Sequence, residues 1–209
     1  MKRFFLLFLC LLITCLAISC GEKDGSAVSS DTEIVKVPND KKVFDNLQQV
    51  EKNSTIIVEA VPEESIEQYI DDSKDNKKQR KTSDYGYTKW RINVTKIYKG
   101  DVKVGDKLII LLEYYISNIG EDNEKLITFT ALMPPVSGKE YILFLAYDKK
   151  NNAYNPVCDY EGMYPEPDST LKEKVHVGSL KQSDLEVYPD EPLKNLVAFY
   201  TKVVHKYFQ

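Results

Sequence analysis

Hydrophobic and polar positions divide the chain into stretches of distinct texture. Lys2 and Arg3 precede an uncharged apolar run over residues 4–16, and Ala17-Ile18-Ser19-Cys20-Gly21 then leads into a polar stretch. A positive start, an apolar middle and a small residue at the cut site form an export signal. Residues 21–39 are rich in Ser, Asp, Glu and Lys, hold few large apolar side chains, and predict a flexible tether. Across residues 40–51, Val43, Phe44, Leu47 and Val50 recur at helical spacing, which predicts a short amphipathic helix capped by Asn39 or Asp40. The β-branched run 55–61 predicts a strand that Pro62 ends. Residues 62–86 are polar, acidic first and basic second. They predict a long loop with one helical turn at Ile66, Tyr69 and Ile70.

Strand patterns dominate the next eighty residues. In 87–96, Trp90, Ile92 and Val94 alternate with Lys89, Arg91, Asn93 and Thr95, so one face is apolar and the other polar. Ile97-Tyr98 breaks the alternation and predicts a bulge or strand end. A turn at Lys99-Gly100-Asp101 and another at Val104-Gly105-Asp106 lead into 107–112, an almost wholly apolar strand expected to be covered on both faces. Residues 126–132 predict a further strand, ended by Met133-Pro134-Pro135. After the turn Ser137-Gly138-Lys139, the run 141–147 is expected at the heart of the sheet. Asn151-Asn152 then turns the chain into a hairpin partner over 153–160. Residues 165–168 close the β region, and 170–188 fit neither period. The chain ends in an amphipathic helix with Asp190 as cap and Pro192 in its first turn. Its apolar stripe is Leu193, Leu196, Val197, Tyr200, Val203, Val204, Tyr207 and Phe208. No internal repeat is present.

Composition changes this picture in two ways. Tyr is abundant, in keeping with strands. Losing Lys2 and Arg3 from the 28 basic residues leaves 26 against 32 acidic ones, a formal charge of −6. An acidic exported domain lacks the electrostatic footprint of a nucleic-acid binder.

The residues at the signal's end resemble the lipobox of bacterial lipoproteins, with Ala17 standing where that family usually has Leu. The resemblance implies that the signal is cut before Cys20, that the Cys20 thiol takes a diacylglycerol, and that Cys20 becomes the new N-terminus. Residues 1–19 are then the signal peptide, 20–39 the lipidated Cys and tether, and 40–209 a single domain. An uncleaved transmembrane helix, a plain secretory signal and an earlier cut before Cys15 are the alternatives. With Cys10 and Cys15 lost and Cys20 acylated, Cys158 is the last thiol, and no intramolecular disulfide can form.

A second resemblance covers residues 54–160. Val94 to Gly100 reads Val-x-x-x-Tyr-Lys-Gly, followed by Val104-Gly105-Asp106 and by Gly138-Lys139-x-Tyr141-x-Leu143-Phe144-Leu145. This order resembles a family of Gram-positive surface lipoproteins and exported proteins of uncharacterised function. It is distantly similar to the netrin-like, tissue-inhibitor-like β-barrels of OB type. The metalloprotease inhibitors of that group use a Cys-led, disulfide-tethered terminus on zinc. This chain has no Cys pair to build it, so inhibition does not carry over. The expected fold is mainly β, a small antiparallel OB-like or curled β-barrel with a short N-terminal and an amphipathic C-terminal helix.

Candidate chemistry is thin, and no catalytic, cofactor-binding or metal residue is singled out. His176 and His205 lack metal-ligand spacing and are expected to be partly packed. Cys158 precedes Asp159 and Glu161, whose charge disfavours a thiolate, and is expected to be an ordinary buried thiol. No Gly-x-Ser-x-Gly and no phosphate loop occurs. The carboxylates Glu63-Glu64, Asp71-Asp72, Glu113 and Asp159 are expected to be solvated. So is the basic run 74–81, which an anionic surface would otherwise attract. OB-type barrels stack bases or sugars on exposed aromatics. Here Tyr85, Tyr87, Trp90, Tyr114, Tyr115, Tyr147, Tyr154, Tyr160 and Tyr164 are expected to pack as ordinary strand residues, Trp90 above all.

Together these features predict a lipid-anchored protein at the extracytoplasmic face of the cell membrane. It would display a non-catalytic module for an envelope protein or wall component, with no nucleic acid and no cofactor. An envelope enzyme working through acidic residues, and an assembly role for the C-terminal helix, are the alternatives. The helix is expected to cover an edge or opening of the barrel.

Overall fold

One long strand organises the chain. The computed structural model describes residues 32–37, 43–71, 85–119, 123–158, 162–185 and 195–208. Among these, β1 is Glu33–Lys36, β2 Ile56–Ile70, β3 Gly86–Lys99, β4 Lys107–Leu112 and β5 Tyr114–Ser117. Further along are β6 Lys125–Thr128, β7 Tyr141–Asp148, β8 Ala153–Pro156 and β9 Met163–Pro165. The helices are α1 Leu47–Asn53, α2 Ser169–His176 and α3 Leu196–Tyr207. The protein is mainly β, with two sheets. The larger has the order β2-β3-β4-β8-β7-β9, and β2 also pairs with β7; the smaller has the order β1-β6-β5.

Pro62 does not end its strand, and residues 62–70 are strand rather than loop. β2 runs for 15 residues because its pairing with β3 shifts register between Ile57 and Val58, Glu59 and Ala60, Pro62 and Glu64, and Ser65 and Glu67. Such shifts absorb a residue that donates no backbone hydrogen bond, and they coil the strand. The break at Ile97-Tyr98 is one of these irregularities, since Ile57 faces Lys99 while Val58 faces Ile97. At its start β2 also pairs with β7, with Ile56 opposite Leu145 and Ala60 opposite Tyr141. Pairing is not uniformly antiparallel. β4 and β8 meet in parallel at Ile110 and Tyr154, and β1 lies parallel to β6.

The alternation in β3 does what it predicts. Trp90, Ile92 and Val94 are fully buried, whereas Lys89, Arg91 and Asn93 are half-exposed. β4 is covered on both faces. Ile110 and Leu112 enter the main core, and Leu111 packs on the other side with Tyr87 and Ala153. β7 is the most buried strand, with Tyr141 to Leu145 all at 2% exposure or less. Gly100 turns β3 toward β4 at φ 101°, where a Cβ would stand 2.4 Å from Ile56 Cγ2. Only glycine adopts that conformation without penalty.

The helices differ from expectation at their ends. α1 starts at Leu47 rather than near Asp40, because the Asn46 side chain caps it by accepting from Gln49 N at 3.0 Å. Phe44, Leu47 and Val50 are buried, but Val43 is exposed. The 170–188 stretch holds α2, capped by Asp168, and a 3₁₀ turn at Gln182–Asp184. In α3 the residues Leu196, Phe199, Tyr200, Val203, Val204 and Tyr207 are buried. The helix lies over β7 and β9 and against α1. Tyr207 meets the ring of Phe144 at 5.6 Å, Tyr200 donates to Pro165 O at 3.3 Å, and Tyr207 donates to Glu51 Oε1 at 2.7 Å. Its proposed cap Asp190, Pro192 and Leu193 lie outside the described residues, as do the signal 1–19, Cys20 and the strand end at Tyr160. The segment Glu33–Lys36, expected within the tether, is strand β1 instead. Val35 and Val37 pack there against Tyr115, Ile127, Phe129 and Ile70.

Candidate ligand-binding face

The strand period that buries Trp90 and Ile92 turns Tyr87, Lys89 and Arg91 to the opposite, outer face of β3. Tyr69 on β2 is the register partner of Tyr87, and the two rings stack at 5.0 Å with 22° between planes. Tyr85 stands edge-on to Tyr87 at 6.2 Å and lies 5.9 Å from Phe129, which in turn is 6.1 Å from Tyr115. Five rings thus form a continuous ladder from the outer face into the smaller sheet. Its inner members are buried, whereas Tyr69 is 41% exposed and Tyr85 39%. Tyr87 is held from beneath by Leu111, Ala153 and Ile109.

Charges border the rings. Lys89 Nζ lies 6.0 Å from the Tyr87 ring centre and bonds Glu67 at 2.8 Å. Beyond it, Arg91 pairs with Glu64 and Lys107 with Glu63, so those carboxylates are engaged across strands rather than free in a loop. Partial burial, then the Glu113 carboxylate, and then Tyr87, Asp148 and Tyr69 push the Tyr85 phenol up to about 12. The hydroxyl therefore stays neutral near physiological pH and can both donate and accept. Asp148 keeps the β7–β8 turn. Its Oδ1 accepts from Lys150 N at 2.8 Å and its Oδ2 from Asn151 Nδ2 at 2.6 Å. Asn152 completes that turn at φ 48°.

The other residues singled out above are scattered. Trp90 is core, and its Nε1 donates to the Tyr114 hydroxyl at 2.5 Å. Cys158 is buried at 4% exposure. His176 ends α2 and His205 lies on α3; both are exposed rather than partly packed, because each follows a valine that takes the buried side of its helix. Among the described residues no group of three or more His, Cys, Asp or Glu could hold a metal ion. Tyr147 and Tyr154 contact each other at 5.2 Å, and Tyr164 packs between Phe144 and Tyr200. Asp72, Asp159 and the basic run 74–81 lie outside the described residues. Tyr85 was expected to pack as an ordinary strand residue, and Tyr69 to sit in a helical turn. Their exposure as a pair is the feature the sequence hid, since only the long-range register of β2 on β3 brings Tyr69 to Tyr87.

This face can stack flat apolar surfaces, such as the faces of sugar rings, and hydrogen-bond their hydroxyls from Tyr85 and Lys89. Compared with known proteins, the chain matches no family model, no curated protein and no solved structure.

Proposed function

We propose that this chain is an exported lipoprotein, acylated at Cys20, that displays an OB-like, non-catalytic binding module at the outer face of the cell membrane. Its ligand is a saccharide chain of the envelope, taken by Tyr69, Tyr85 and Tyr87. The exposed rings of Tyr69 and Tyr85, both in contact with the buried Tyr87 on the outer face of β3, carry this reading. The strand pairing supports the OB-like part. Its order β2-β3-β4-β8-β7 returns to β2, with one parallel link between β4 and β8. A five-stranded, partly open Greek-key barrel has this kind of pairing, and such barrels bind oligosaccharides and oligonucleotides on their second and third strands. Counted from β2, the second strand here is β3, which carries Tyr87, while Tyr69 lies on the first, β2. The net acidic charge favours a saccharide over a polyphosphate nucleic acid.

Two exposed rings at ~1 kcal/mol each give ~2 kcal/mol, or roughly 30-fold in affinity. Co-sedimentation of the full-length protein with purified cell-wall polymer tests the idea. Tyr69→Ala with Tyr85→Ala should weaken binding by that factor and leave the melting temperature nearly unchanged. Wall binding that survives the double change would rule the face out.

A further inference from the structure

We infer that β1 fixes which side of the protein meets the membrane, and that the tip of the β5–β6 hairpin, marked by Ile119, rests nearest the lipid surface. The inference rests on the Cys20 anchor proposed above. β1 is firmly placed. Glu33 to Lys36 pair residue for residue with Lys125 to Thr128, and Val37 N continues the ladder to Thr128 O at 2.8 Å. Glu33 also pairs with Lys125 at 2.8 Å. Val35 and Val37 pack, partly buried, against the cluster of Tyr115, Ile127 and Phe129.

Docking β1 leaves 12 residues, or 13 Cα–Cα steps, between Cys20 and Glu33. Fully extended, they reach at most roughly 45 Å, and as a coil their end-to-end distance is only ~20 Å. A domain of 170 residues has a radius of gyration of ~15 Å, so it is about 40 Å across. As a coil the leash spans about half the width of the body, and even at full stretch it only slightly exceeds that width, so turning the far side of the body to the bilayer stretches the leash and is disfavoured. Were β1 undocked, the leash would run to Phe44 and nearly double in length.

The exit point lies at one end of the molecule. β1 starts beside Lys125, which pairs with Ser117 where β5 turns toward β6. β5 sits at the beginning of β3, where Thr88 Oγ1 donates to Tyr114 O, and β3 then runs six residues on to Val94, whose O accepts from Gly105 N at 2.8 Å in the turn before β4. Ile119, 68% exposed, and Ile34, 45% exposed, are the apolar side chains offered at the near end. Val104, 65% exposed, lies in the turn at the far end.

Lipidated full-length protein in vesicles carrying headgroup-nitroxide lipids provides the test. A fluorophore is placed at Ile119→Cys or at Val104→Cys in a Cys158→Ala background, and intact mass is recorded first. Quenching should be several-fold stronger at position 119 than at 104. Val35→Asp with Val37→Asp, which undocks β1, should bring the two close to equal. A lipidated protein with equal quenching at both positions, or with the order reversed, overturns this inference alone. So does a label at 119 shielded from the nitroxide by another protein. A chain without acyl groups overturns both this inference and the anchor.

Discussion

Removing the Tyr114 hydroxyl tests how far the core depends on one buried hydrogen bond. Trp90 is fully buried, and its Nε1 donates to Tyr114 Oη at 2.5 Å. An indole N–H is a donor with no accepting role, so it has no alternative use for that hydrogen. Burial pushes the Tyr114 phenol far above its ordinary value, with the Trp90 and Thr88 bonds acting the other way, so the acceptor is neutral at any working pH. Tyr114→Phe keeps the ring and its packing but strands the indole N–H, at a cost of ~1–3 kcal/mol. For a domain of this size ~1 kcal/mol lowers Tm by about 2–4 °C, so the midpoint should fall by about 4–8 °C for ~2 kcal/mol. Thermal melts by far-UV circular dichroism suit the assay, because Trp90 is the single tryptophan and its emission is lost in the partner variant. In a Trp90→Phe background the same change should do less, since only the Thr88 contact is left to lose. The shortfall measures the pair's coupling. Equal losses in both backgrounds, or a Tm unmoved by Tyr114→Phe, would show that the bond does not hold the core.

Three further outcomes follow from α3 and from the titrating groups. Truncation at Asn195 removes Leu196, Phe199, Tyr200, Val203, Val204, Tyr207 and Phe208, each at 9% exposure or less. At ~1.5–3 kcal/mol apiece the loss matches or exceeds the ~5–15 kcal/mol that holds a domain together. The truncated chain should lose its near-ultraviolet dichroism; a folded monomer would refute the view of the helix as part of the core. Tyr85 ionises at an ordinary 10.0 when unfolded and at about 12 when folded, so the fold favours its neutral form. Its contribution is complete below pH 10 and is lost as pH rises toward 12, and Tyr85→Phe should make that decline shallower in denaturation midpoints. Asp148 and Asp184 run the other way. Hydrogen bonds from Asn151 and from Lys174 hold them below the usual carboxylate range, so their support is present above about pH 4 and fades in acid. Asp184→Asn should therefore flatten the acid limb of the stability profile.

Local signals were legible wherever neighbouring residues settle them. The alternation of β3, the two-sided burial of β4, the burial of β7, and the turns at Gly100, Gly138 and Asn152 follow from period and turn chemistry. The apolar stripe of α3 did too. What escaped notice depends on partners far away in sequence. Glu33–Lys36 is polar enough to pass for tether, and it becomes a strand because β6 offers an edge some ninety residues later. Tyr114–Ser117 sits behind the half-exposed Glu113 and lacked any separate signal, yet it pairs fully with β6. Helical spacing at Ile66, Tyr69 and Ile70 competed with strand pairing, and the ladder to β3 won.

The irregularities that disguised β2 are also what build the tyrosine face. β2 lies against β7 over its first residues and follows β3 along its whole length. Four register shifts coil β2 enough to serve both. One of them falls beside Pro62, where a missing N–H does least harm. Past the last shift the register settles, with Glu67 opposite Lys89 and Tyr69 opposite Tyr87. Gly86 secures the other side. A Cβ there would meet Tyr115 Cδ1 at 2.4 Å and Tyr69 O at 2.9 Å, so only a bare backbone fits between the two tyrosines. With a side chain at 86, the start of β3 would be forced off the smaller sheet, and Tyr85 and Tyr87, its two chain neighbours, would leave the ladder. The face thus depends less on its tyrosines, which composition supplies freely, than on a bulged strand and one glycine that hold them in line.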